Sequence, residues 1–284
     1  MVSRDESSIS LFVKFCRVNK RVSPSRTENQ RRTGAPAGPM DWPLLRYAWS
    51  LEHRIKCVAY SFEGVERAEV LAAAEIEKTS KLGSGSYDPI LILVYYYESL
   101  VDQIYKSMEN VAKVNMFLYD SKQAPPHDFQ EQRQNIAKGK LNFSISYDRI
   151  MKESMGWYGD VLRIRHNSNH YAIGTGAYKR DDDGKPILQY LNYEISERRA
   201  NRGTTGRIEN NILDSAKGLW TRFNSCVNAI GSAWLEEVDP TIRCEISFLF
   251  PDRAEMRKVN LDEYRAGELG ELVGVLPVKK GKEN

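Results

Sequence analysis

Asp88-Pro89-Ile90-Leu91-Ile92-Leu93-Val94-Tyr95-Tyr96-Tyr97 opens the stretch that decides the fold class. Asp88 is a residue type that caps a helix N-terminus, and Pro89 brings a φ already suited to a first turn. From there Ile90, Leu93, Val94, Tyr97, Leu100, Val101, Ile104, Met108, Val111 and Leu118 lie along one broad apolar face. Steps of three and four residues are those of a helix, and a face this wide must be covered by other elements.

Working outward, the same period recurs on both sides. Upstream, Leu44, Leu45, Ala48, Leu51, Ile55, Val58, Ala59 and Phe62 follow Pro43 at helical steps. Gly64 predicts a break there, with a second and more polar helix over Val65 to Lys81. The segment Gly83-Ser84-Gly85-Ser86 has neither a preceding strand nor a Gly-Lys-Ser/Thr ending, so it reads as a connector rather than a phosphate loop. Downstream, Pro125-Pro126-His127 marks a loop in which His127 is expected to be exposed. Ile145 to Ile164 reads as one helix with Ile150, Met151, Met155, Tyr158, Val161 and Leu162 inward, and Gly174 and Gly176 end its polar continuation.

Tyr178 and Ile187 to Ile195 then flank Asp181-Asp182-Asp183-Gly184, an Asp-Gly turn signal that predicts a hairpin near residues 175–195. The Asp triplet lacks the spaced acids and closing Glu of a calcium loop. Glu197 to Arg207 reads as a loop, Ile208 to Leu235 as an amphipathic helix, and Ile242 to Phe250 as a strand before a Lys-rich tip. The expectation is a mainly α protein: a helical domain over 41–240 with an inserted β-hairpin, and a short α/β extension over 241–284. Residues 1–40 read as a basic tail, rich in Ser, Arg, Pro and Gly over Ser23 to Pro39, with one apolar patch at Ile9 to Phe15. Met40 is as good a candidate start as Met1.

Composition narrows the function classes. The 284 residues are 41% hydrophobic, enough for a core, and mean hydropathy is −0.53. No run approaches the roughly eighteen apolar residues of a membrane span. The net charge of +3 and pI near 8.5 permit RNA as a partner without demanding it. Cys16, Cys57, Cys226 and Cys244 lie far apart with no Cys-x-x-Cys pair, which argues against a zinc ribbon or disulfide framework and for the cytoplasm. Glu98 and Asp102 form an i,i+4 acidic pair that suits a bonded or solvated helix face better than catalysis.

The chemistry concentrates in Leu162-Arg163-Ile164-Arg165-His166-Asn167-Ser168-Asn169-His170-Tyr171. A His near pKa ~6.5 exchanges protons at neutral pH, and an Arg fork matches phosphate oxygens while keeping its charge. Cleaving RNA without a metal needs both, since the 2′-hydroxyl loses a proton as charge builds on phosphorus. Arg165 and His170 stand about 140° apart on an ideal helix, whereas His166 and His170 share a face. A His-x-x-x-His metal pair therefore competes, yet position 167 is Asn and no third His or Cys ligand follows. Capping of a helix end by a polar cluster also fits. Arg198, Arg199 and Arg202 in the following loop are candidate phosphate contacts alongside Arg163, Asn167 and Asn169.

Arg165-His166-Asn167-Ser168-Asn169-His170 resembles the Arg-polar-x-x-x-His signature of the HEPN superfamily, late in a helix and behind another long amphipathic helix. The resemblance implies an all-α bundle that dimerises and brings two Arg/His sets into one cleft. It also implies a metal- and cofactor-independent endoribonuclease, often in defence or toxin–antitoxin settings with an antitoxin partner. Arg165 would hold the scissile phosphate, His170 would transfer the proton, and His166 would be the polar residue after the Arg. The hairpin and C-terminal strand depart from a minimal bundle, so a non-catalytic HEPN-like RNA- or protein-binding module remains the alternative.

Overall fold

The structure is a computed structural model that describes residues 8–10, 12–13, 42–82, 87–119, 125–153, 155–170, 175–195, 204–209, 211–236, 244–249, 254–259 and 275–277. It is mainly helical. In chain order the elements are α1 (Trp42–Leu82), α2 (Asp88–Leu118), α3 (Phe129–Ala137), α4 (Ile145–Glu153), α5 (Tyr158–His170), β1 (Thr175–Arg180), β2 (Pro186–Ile195), β3 (Thr204–Glu209), α6 (Ile212–Glu236), β4 (Cys244–Leu249), β5 (Ala254–Val259) and β6 (Val275–Pro277). Two compact units divide the chain, one of residues 1–52, 110–152 and 227–284, the other of 53–109 and 153–226. Helices α1, α2 and α6 each contribute residues to both units.

In the second unit α2 is the hub. Ile90, Leu93, Val94, Tyr97, Leu100, Val101, Ile104 and Met108 are all buried, as their spacing requires. Polar tips on the same helix find partners. Tyr190 on β2 donates to Glu98 at 2.6 Å, Tyr97 and Ser215 share a hydroxyl bond of 2.8 Å, and the Tyr97 and Tyr190 rings meet at 5.0 Å. Glu98 is thus a bonded face residue. The sheet runs β1-β2-β3, antiparallel throughout, with Thr175 opposite Leu191 and Arg180 opposite Pro186. Asp181 Oδ1 accepts from Lys185 N at 2.7 Å, and Gly184 takes a φ of 81°, the left-handed value for which the Asp-Gly signal stands.

Several boundaries differ from the sequence reading, two of them for a packing reason. Gly64 does not break the first helix: α1 runs unbroken for 41 residues. The glycine is buried against the Tyr96 ring, and a methyl group at its Cα would overlap that ring. Close approach, rather than a turn, explains its presence. Gly64→Ala should therefore cost about 1–3 kcal/mol by overpacking, although Ala normally favours a helix by about 1 kcal/mol over Gly. An unchanged or raised urea midpoint would show that Tyr96 moves aside freely.

Gly176 likewise does not end a helix. It lies inside β1, where an added Cβ would collide with Ile90 of α2, and its carbonyl accepts the Tyr87 hydroxyl. The single helix expected over Ile145 to Ile164 is two, α4 and α5, with Gly156 and Trp157 in a turn before α5 and Met155 and Trp157 buried. Thr204–Glu209, of which 204–207 read as loop and 208–209 as the start of a helix, is a strand with Leu191 opposite Ile208. The C-terminal segment carries three strands, ordered β5-β4-β6, where the sequence pointed to one.

The first unit contains two elements that the sequence reading missed. Helix α3 is capped by Asp128, whose carboxylate accepts from Glu131 N at 2.8 Å. The basic tail is also docked at its apolar patch: Ile9, Phe12 and Val13 are buried, and the Phe12 ring lies 5.0 Å from Trp234. Gly231 admits this contact, since a Cβ there would come within 2.7 Å of the Ile9 backbone nitrogen. At the centre of this unit Asn115 accepts from Trp234 Nε1 at 3.0 Å and donates to Tyr147 at 2.6 Å and Gln132 at 3.1 Å.

Asp148 in α4 accepts from Phe143 N at 3.2 Å. Burial holds its carboxyl above the ordinary 3.8, against opposing bonds from Phe143 and Ser144 and the charge of Lys152. A raised folded-state value means that its contribution to stability is present below 3.8 and lost as pH climbs through the raised value. Asp148→Asn should thus flatten this part of the pH–stability curve, read from urea midpoints taken from acid to neutral pH.

Candidate active site

Helix α5 carries the motif, and its buried side explains its position. Tyr158, Val161 and Ile164 are in the core of the second unit, so the residues between them turn toward the surface. Arg165 follows Ile164 and is held from α2. Its guanidinium carbon sits 3.7 Å from the centroid of the Tyr105 ring, well inside cation–π range. Its Nε lies 3.6 Å from Asp102 Oδ1, an ion-pair distance too long for a hydrogen bond. Asp102 is also bound at 2.5 Å by Lys106 Nζ, one turn along α2.

This arrangement holds the guanidinium and leaves a charge. The Tyr105 ring lies beneath the guanidinium, and Asp102 lies beside its Nε. One carboxylate shared between Arg165 and Lys106 leaves the group with a net positive charge. The Arg165 side chain keeps 28% of its surface exposed, so its terminal N–H groups can meet an oxyanion. Arg163 is less available at 18% exposure, and it pairs with Asp160 at 3.6 Å.

The other expected site residues fall as follows. His166 is exposed on α5. The Ser168 hydroxyl donates back to the Arg165 carbonyl at 3.2 Å. Asn167, Asn169 and His170 belong to the helix backbone, with His170 its final residue, and their side chains are outside the described residues. Arg198, Arg199 and Arg202 also fall outside them. The structure thus brings Arg165 together with Asp102, Tyr105 and Lys106, and gives no geometry for His170.

Tyr105 and Lys106 were missed by sequence reasoning. They follow Asp102 by three and four residues and so share its helix side, which was a signal of a charged patch but not of which helix would lie against it. Among the described residues no three His, Cys, Asp or Glu side chains gather as metal ligands. The Cys226 thiol, 3.3 Å from the Met155 sulfur, is pushed up to about 12 by burial and is not a nucleophile at neutral pH. No described helix is long and apolar enough to cross a membrane. Comparison with family models, with curated proteins and with solved structures returned no match.

Proposed function

We propose that the chain is a metal-independent endoribonuclease of HEPN type that acts as a homodimer. The observation that carries this reading is Arg165, stacked on Tyr105, aimed by Asp102 and still partly exposed, on the helix whose last residue is His170. In this reading the guanidinium binds the non-bridging oxygens of the scissile phosphate and offsets the charge that grows on them. His170 takes the proton of the substrate's 2′-hydroxyl or, as imidazolium, gives one to the leaving 5′-oxygen, and the second copy's imidazole or water makes the other transfer. The 2′-oxygen attacks phosphorus and the 5′-oxygen departs, leaving a 2′,3′-cyclic phosphate and a 5′-hydroxyl. A second copy doubles the Arg/His set without new sequence. A defence or toxin–antitoxin setting, with an antitoxin as partner, rests on the motif resemblance alone.

The Asp102 contact also suits a second reading, in which Arg165 braces α5 on α2 and the cluster serves a non-catalytic RNA- or protein-binding module. Cleavage of RNA in excess chelator separates the two. Activity that survives chelation supports the ribonuclease, binding without cleavage supports the module, and chelator-sensitive cleavage that is also lost in His166→Ala supports a His166/His170 metal site.

A further inference from the structure

The outer face of α1 in the second unit carries a pattern that reads the same in both directions. Lys56, Tyr60, Glu63, Arg67, Val70 and Ala74 are all exposed and follow one another at steps of four, three, four, three and four residues. Such steps keep side chains on one stripe of a helix. About Val65 the stripe maps onto itself, with Glu63 matching Arg67, Tyr60 matching Val70 and Lys56 matching Ala74.

Large apolar groups are unusually open here. Tyr60 is 67%, Val70 64% and Leu71 60% exposed, and on α2 Leu91, Ile92 and Tyr95 are exposed as well. A shallow depression lined by Tyr60, Glu63, Gly64, Arg67, Ala68 and Tyr96 lies at the middle of the stripe. Large apolar groups left this open on two neighbouring helices mark a candidate interaction face.

We infer that this face docks a second copy of the chain, its α1 laid antiparallel across the first with the two-fold axis passing near Val65. In an isologous interface each contact occurs twice. Glu63 of one copy then meets Arg67 of the other at both ends of the axis, and Tyr60 meets Val70 on either side. Within one chain Arg67 and Glu63 already pair at 3.4 Å while remaining largely exposed, so exchanging partners across the axis opposes no buried contact. The occupant follows from charge. Glu63 and Glu66 balance Lys56 and Arg67, which gives a nucleic acid no positive field, and the same charges interrupt the apolar run that a membrane surface would need. Self-complementarity selects a copy of this chain.

The inference stands without the ribonuclease reading, although it supplies the face that a homodimer would use.

Light scattering on the full chain over a concentration series tests the face. Wild type is expected to dimerise. Glu63→Arg and Arg67→Glu each place like charges opposite one another at both central positions, and each should weaken association about tenfold or more. An equimolar mixture of the two single variants, and the double variant E63R/R67E, should associate like wild type. Both positions are exposed, and an unchanged far-UV spectrum confirms that the variants fold. A wild type that stays monomeric, single variants that dimerise unimpaired, or a mixture that fails to associate would each overturn the assignment. None of these results depends on RNA cleavage.

Discussion

Arg165→Ala and His170→Ala are each expected to lower RNA cleavage by about 10²–10⁴-fold, the range for loss of a positioned acid or base or of a transition-state charge partner. The loss should fall on kcat, because both groups act on charge and protons that move only during the reaction. Arg165→Ala removes the stack on Tyr105 but leaves Asp102 its 2.5 Å contact with Lys106, so no buried carboxylate is stranded. The fold should survive, with a near-native far-UV spectrum. Arg165→Lys should recover little. An ammonium can satisfy Asp102, but it has neither the planar group that lies 3.7 Å over Tyr105 nor a fork for two phosphate oxygens. His166→Ala, at an exposed position beside the pair, should cost far less. If Arg165→Ala kept half the wild-type rate, the guanidinium would be a brace and nothing more.

The largest effect on stability is expected at Asn115 rather than at the motif. Its side chain is fully buried and serves Trp234, Tyr147 and Gln132 at once. Gln132 is itself fixed by bonds from its amide to the carbonyls of Ala112 at 3.0 Å and Pro126 at 2.6 Å, so it cannot turn to find another partner. Asn115→Leu keeps the count and branching of side-chain heavy atoms but strands the Trp234 Nε1 donor and the Gln132 Oε1 acceptor. Each stranded buried group costs about 1–3 kcal/mol, so a loss of about 2–6 kcal/mol is expected for the two. That is a large share of the roughly 5–15 kcal/mol that holds a domain folded. Urea denaturation followed at Trp234 would measure it, and a loss under about 1 kcal/mol would mean that the network relaxes around the change.

The helical character of the protein was readable because it lies in periodicity. The α2 stripe from Ile90 to Met108 is buried residue for residue, and the Asp-Gly signal located the turn between β1 and β2. Contacts between elements were not readable. Gly64 looks like a breaker until Tyr96 is seen against it, and Gly176 looks like a stop until Ile90 is seen beneath it. The patch from Ile9 to Phe15 is too short to announce a core element, yet Ile9, Phe12 and Val13 are buried because Gly231 and Trp234 leave room for them. Helix α3 carries little apolar character of its own and depends on the Asp128 cap, a one-residue signal that is easily overlooked in a loop. At the site, the motif named Arg165, but only the packing of α5 on α2 shows that Asp102 and Tyr105 hold it and that Lys106 shares the carboxylate.

The central claim is that the substrate's own 2′-oxygen is the nucleophile. The direct measurement uses one RNA with a mapped cut site, an otherwise identical RNA bearing a single 2′-deoxy or 2′-O-methyl residue 5′ to that bond, and excess chelator. The account predicts cleavage of the first to a 2′,3′-cyclic phosphate and a 5′-hydroxyl, and an intact bond in the modified strand. Cleavage of the modified strand at that bond would contradict it.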